Sequence, residues 1–174
     1  MLTPNASVWP AFWMMGDSFR DDRKSWPAVG EIDIMETANG QNLLLNTVHC
    51  DQETGGVCNE HNGIGNGANP TEFKRGEWHQ IGVEIDRSSS DMQQQSINFY
   101  LDRQMKWSLK PENIQNHESA WEALTASNKL LLLNVAVGGD FPDARNNGDP
   151  TPDDNTMDGE DVGIEVEYVA AWTA

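Results

Sequence analysis

A chain of 174 residues with 28 acidic and 11 basic side chains carries a net charge of −17. That balance speaks against nucleic acid or an anionic membrane surface as partner, since both need positive charge, whereas a neutral polymer meets no such repulsion. The length suits one domain over 1–174 with a core of its own, and no apolar run approaches the ~18 residues of a membrane span.

In chain order, the first feature is Trp9-Pro10-Ala11-Phe12-Trp13-Met14. As a strand it puts Trp9 and Trp13 on one face, as a core pair or an aromatic platform. Trp26 follows in the loop Lys24-Ser25-Trp26-Pro27, and loops seldom supply core. Next come the acidic stretch Gly30-Glu31-Ile32-Asp33-Ile34-Met35-Glu36-Thr37 and a strand, Thr47-Val48-His49, with Thr47 and His49 on one face. Cys50 and Cys58, the two cysteines of the chain, bracket a polar loop that a disulfide would staple for roughly 2–3 kcal/mol. Such a bond points to an oxidising compartment, so secretion is expected although the first residues do not read as an export leader. His49 and His61 lack zinc-ligand spacing relative to these cysteines, and no metal site is expected there.

Further on, Ile81, Val83 and Ile85 alternate with polar residues, as do Ile97, Phe99 and Leu101 before a turn at Asp102-Arg103. Both read as half-buried strands. His117 to Ala126 reads as the one short helix. Leu130 to Val137 is an apolar strand interrupted by Asn134, and Ile164, Val166 and Tyr168 predict a closing strand. Between these lies an acidic stretch, 143–161, with Asp149, Asp153, Asp154, Asp158, Glu160 and Asp161. Calcium is tempting, but a hand opening at Asp153 would put Met157 at a ligand position, so a solvated loop is expected. Trp78, Trp107, Trp121 and Trp172 are expected to pack. Alternating strands, polar turns and little helix predict an all-β antiparallel sandwich.

The acidic strand is the informative element. In regular pleating Glu31 and Asp33 share a face and Glu36 falls on the other, but a bulge around Ile34-Met35 restores the parity and lines up all three. Glu31 and Glu36 leaning together could close to the separation of about 5–5.5 Å at which one carboxylate attacks a sugar's anomeric carbon while the other protonates the leaving oxygen. Asp33 between them would hydrogen-bond one or both and raise the proton affinity of the acid partner. Sugar rings stack their apolar faces on aromatics, which makes Trp9, Trp13 and Trp26 candidates for substrate contact, with His49 and Asn134 as polar candidates.

Glu31-Ile32-Asp33-Ile34-Met35-Glu36 resembles the signature of family sixteen of the glycoside hydrolases, in the bulged form found in laminarinases. Trp9-Pro10-Ala11-Phe12-Trp13-Met14, Trp26-Pro27, Thr47-Val48-His49, Leu133 to Gly139 and Tyr168-Val169 also resemble family segments, so the likeness runs over essentially the whole chain. It implies a concanavalin A-like β-jelly roll lacking the family's strands ahead of Trp9, and a retaining endo-β-glucan hydrolase acting on β-1,3 or mixed β-1,3/1,4 linkages. Glu31 would be the nucleophile, Glu36 the general acid/base and Asp33 their assistant, with His49 against them and no cofactor. The resemblance leaves open a structural calcium on the convex side, and agarases, carrageenases and transglycosylases share the signature. A non-catalytic carbohydrate-binding sandwich is the rival from outside enzymology.

Overall fold

Alternating apolar side chains recur along this chain as strand signals, and the computed structural model contains nine strands among the residues it describes: 7–154, 156, 157, 159 and 162–173. They are β1 (Val8–Gly16), β2 (Glu31–Glu36), β3 (Leu43–His49), β4 (Ile64–Gly65), β5 (Thr71–Glu72), β6 (Ile81–Asp86), β7 (Ser96–Leu101), β8 (Gln104–Leu109) and β9 (Lys129–Val137), with helices α1 (Glu118–Thr125) and α2 (Asp140–Ala144). One sheet runs β4-β3-β2-β1-β9 with β5 also paired to β3, and a second runs β6-β7-β8. Every named pairing is antiparallel. The Asp102-Arg103 turn forms as expected, both residues taking left-handed φ (52° and 64°) between β7 and β8.

The two sheets pack face to face. Met14, Ile32, Ile34 and Val48 of the larger sheet meet Ile97, Phe99 and Leu109 of the smaller one, all buried. Each such side chain contributes about 1.5–3 kcal/mol by leaving water. Helix α1, capped by the His117 side chain, adds Trp121 and Leu124 to the same core, and the Trp121 indole donates to Gln95 Oε1 at 2.7 Å. Gly30 lets α1 come this close to the start of β2. Its φ is +75°, and a Cβ there would lie 2.6 Å from the Ala123 carbonyl oxygen.

The expected bulge forms in β2. Against β1, Met35 pairs with Phe12 and Asp33 with Trp13; against β3, Asp33 pairs with Thr47 and Glu36 with Leu45, so β2 holds one residue more than either neighbour. Ile34 and Met35 both join buried apolar clusters, and the acids before and after them share the outer face. The extra residue takes the Ile34 carbonyl out of the ladder, and Asn46 Nδ2 donates to it at 2.7 Å. Asn46 is itself held by Asn66, whose Oδ1 accepts from the Asn46 backbone N–H at 3.0 Å. A buried carbonyl without a partner would cost about 1–3 kcal/mol, so this amide pair stabilises the bulge.

Several expectations need correction. The closing strand does not form: Ile164 makes only a single bridge, and Val166, Tyr168 and Val169 are exposed. Alternation marks which face a strand would bury, and pairing still requires a neighbouring strand at hand. A short helix, α2, occupies 140–144, where no helix was expected. Trp121 packs and Trp107 lies against Phe99 at 5.0 Å, but Trp78 and Trp172 are exposed. On β9 the residues facing away from Asn134, Leu131, Leu133 and Val137, are 43–58% exposed. Asp158, Glu160 and Asp161 of the acidic stretch lie outside the described residues.

Candidate active site

The outer face of β2 carries the acids in a row. Glu31 stands opposite Met15 and His49, Asp33 opposite Trp13 and Thr47, and Glu36 opposite Ala11 and Leu45. Asp33 and Glu36 are only 4% and 7% exposed, so their environment decides their charge. Each outer acid has an indole donor. Trp26 Nε1 donates to Glu31 Oε2 at 2.5 Å, and Trp9 Nε1 donates to Glu36 Oε1 at 2.9 Å.

The charges of the three carboxyls bear on one another's proton affinity. Burial pushes Asp33 well above the usual carboxylate range, and the charges of Glu36 and Glu31 and a hydrogen bond to Glu31 push the same way. Burial also raises Glu31, against the pull of the His49 charge and hydrogen bonds from Trp26 and Asp33. Glu36 is raised by burial too, opposed by the Trp9 hydrogen bond and the His49 charge. A proton on Asp33 directed at Glu31 is the arrangement these directions favour, and it favours the ionised form of Glu31. A row containing both an ionised carboxylate and a protonated carboxyl can supply a nucleophile and an acid together.

The neighbouring strands complete the face. His49 Nε2 lies 3.5 Å from Asp33 Oδ2, and His49 Nδ1 lies 2.8 Å from the wholly buried Glu60 side chain. The Trp26 ring packs against His49 and, on stacking geometry, against His61. Trp9 stacks on Phe141 of α2 at 5.0 Å, and the Arg145 guanidinium sits 4.5 Å over the Phe141 ring. Trp13 Nε1 donates to Asn134 Oδ1 at 2.7 Å.

Glu31, Asp33, Glu36, Trp9, Trp26 and His49 thus form one connected network, while Trp13 and Asn134 pair with each other alongside it. Neither tryptophan of β1 belongs to the core between the sheets. Glu60, Phe141 and Arg145 were not anticipated. Glu60 sits in a polar loop after Cys58 with no periodicity to mark it, and Phe141 and Arg145 lie in and just beyond the unforeseen helix. The Cys50–Cys58 disulfide forms as expected, with both cysteines buried. Among the described residues no group of three or more His, Cys, Asp and Glu is arranged to hold a metal ion.

Comparison with known proteins agrees with this geometry. The profile of the XgeA-like, catalytic GH16 domain matches residues 2–98. A glucan endo-1,3-beta-glucosidase of Cryptopygus antarcticus is 29% identical over 183 residues, covering 99% of this chain and 59% of its own. The crystal structure of an endo-1,3-beta-glucanase from Streptomyces sioyaensis superposes with a TM-score of 0.77 at 35% identity, over 90% of this chain and 56% of the other. The laminarinase catalytic domain of Thermotoga maritima gives 0.64 at 26%, over 90% and 55%. The chain therefore spans a little over half the length of these relatives, and the fold it shares with them is the antiparallel jelly-roll sandwich.

Proposed function

The chain belongs to the GH16 family of glycoside hydrolases, and from that premise we propose that it cleaves β-glucan chains internally and with retention, at β-1,3 or mixed β-1,3/1,4 linkages. The observation that carries this reading is the bulge at Ile34-Met35, with an indole donor on each of the outer acids.

In the first step the ionised Glu31 attacks the anomeric carbon as the glycosidic C–O bond breaks, and Glu36 gives its proton to the leaving oxygen. Hydrogen bonds from Trp26 and Asp33 favour the ionised form of Glu31 against the effect of burial. Forming the ester removes the charge of Glu31, and that charge was among the influences raising Glu36. The deprotonated Glu36 is then suited to take a proton from water, which attacks the same carbon and releases Glu31. Both ends of the cycle leave one proton on Glu36, so no cofactor enters.

Trp9, Trp13 and Trp26 would line the groove against the sugar faces, with His49 and the amide of Asn134 meeting hydroxyls. A chain this acidic suits a neutral glucan better than a sulfated galactan, which calls for Arg or Lys contacts. The buried disulfide supports secretion. The test is reducing-sugar release from laminarin, lichenan and agarose side by side, with the anomer first released followed by proton NMR. Release from laminarin or lichenan as the β-anomer is expected. Binding without release would make the chain a carbohydrate-binding sandwich, and an α-anomer would overturn retention.

A further inference from the structure

Glu60 belongs to no strand, yet every polar atom it carries is engaged. Its backbone N–H donates to the Gly55 carbonyl at 2.7 Å, and its carbonyl accepts from the Gly55 N–H at 2.8 Å. Its Oε1 accepts from the Cys50 N–H at 2.9 Å, and its Oε2 lies 2.8 Å from His49 Nδ1. The Cys50–Cys58 bond closes the loop that delivers it. A buried acid fixed at four points, with one oxygen on a ring that touches the carboxylate row, is arranged for more than packing.

We propose that Glu60 is a positioning residue for the acid row: it keeps His49 protonated on both ring nitrogens, so that Nε2–H faces Asp33 and the proton of Asp33 stays directed at Glu31. The proposal rests on the hydrolase reading above for its catalytic consequence, though not for its chemistry. Glu60 acting as a carboxylate only accepts, and Nδ1 is then the donor in their 2.8 Å contact. Asp33 Oδ2 is buried without a hydrogen-bond partner, and the nearest ring nitrogen to it is Nε2. With Nε2 protonated, that oxygen meets a donor. With Nε2 bare, the ring offers a lone pair instead and competes with Glu31 for the proton of Asp33.

The groups facing His49 are Glu31, Asp33 and Glu36 of β2 and Glu60 of the loop, with the Trp26 ring, and His61 beyond it, on one side. Among the cations, Lys129 donates to the carbonyl oxygens of Val29, Gly30 and Ala123 and feels the charges of Asp17 and Glu31, and Arg145 feels that of Glu36. Burial alone would lower the proton affinity of His49; the Glu60 hydrogen bond and the charges of Glu60, Glu31 and Glu36 outweigh it and leave the imidazole raised. Gly63 supports the geometry from behind, since a Cβ there would come within 2.9 Å of His49 Cε1.

The test titrates the His49 ring by nitrogen-detected NMR in the substrate-free protein, with the signal assigned from the H49Q variant, and measures the pH profile of laminarin hydrolysis alongside. In the wild type the ring should titrate above free imidazole. In E60Q the midpoint should fall by about one pH unit or more, a tenfold loss of proton affinity. The alkaline limb of kcat should move down by a similar amount with KM little changed, E60D should recover part of both, and E60Q should add nothing to H49Q. A midpoint that stays put in E60Q, or a lowered Tm with an unchanged pH profile, would reduce Glu60 to a structural brace. Should E60Q fail to fold, a wild-type midpoint at or below that of free imidazole refutes the proposal by itself. A shifted midpoint in a protein that hydrolyses no glucan would leave the His49–Glu60 pair intact and sink the hydrolase reading instead.

Discussion

Replacing Trp26 with Phe removes one N–H and keeps most of the ring, which makes it a direct probe of Glu31. The lost bond runs from Nε1 to Oε2 at 2.5 Å, on a carboxyl that is mostly shielded from water. A hydrogen bond to a charged acceptor is worth about 1.5–3 kcal/mol, and each pH unit corresponds to about 1.36 kcal/mol. The donor favours the ionised form, so losing it makes Glu31 hold its proton to higher pH. Because attack requires the ionised form, the acid limb of kcat/KM should move up by roughly one to two pH units. At higher pH, activity should remain substantial. Trp9→Phe is the control: it removes the equivalent donor from Glu36 and should leave the acid limb in place. The assay is kcat/KM on laminarin across the acid range for the wild type and both variants. An acid limb unmoved in W26F, or moved equally in W9F, would refute the division of labour between the two glutamates.

Asp33→Asn should raise Tm at neutral pH. A carboxyl whose folded-state proton affinity is raised costs stability as pH climbs past its unfolded value, and the amide removes that cost, so the gain should vanish in strong acid. A destabilised D33N at neutral pH would contradict this sign. Cys50→Ser with Cys58→Ser should cost about 2–3 kcal/mol in denaturant unfolding, and by loosening the Glu60 loop it should also lower the alkaline limb of kcat. Asn46→Ala strands the Ile34 carbonyl, costing about 1–3 kcal/mol, with activity falling alongside stability because the bulge sets where Glu36 points.

The core of the site was legible because it depends on parity. Glu31, Asp33 and Glu36 could share a face only with an odd residue between them, and the apolar Ile34-Met35 pair marked where it would fall. Trp9 and Trp26 stood out as candidates for substrate contact, but their indole N–H bonds to Glu36 and Glu31 depend on side-chain reach across strands and loops, which a linear pattern does not encode. Glu60 was invisible for the same reason: it reaches His49 through a loop folded back by a disulfide. Asn46 looked like any polar residue in a strand, and its use as a partner for the bulge carbonyl follows from three-dimensional packing alone. The final alternating segment misled in the other direction, since Val166 and Tyr168 have the pattern of a strand while lying exposed outside the named sheets.

The central claim is that Glu31 and Glu36 flank one glycosidic bond in different roles, and azide rescue tests it most directly. With an activated β-glucoside of laminaribiose, the account predicts that Glu31→Ala is inactive alone and regains turnover with azide, giving the α-glycosyl azide. It predicts that Glu36→Ala is rescued to the β-glycosyl azide. The same anomer from both variants, or rescue of neither, would contradict it.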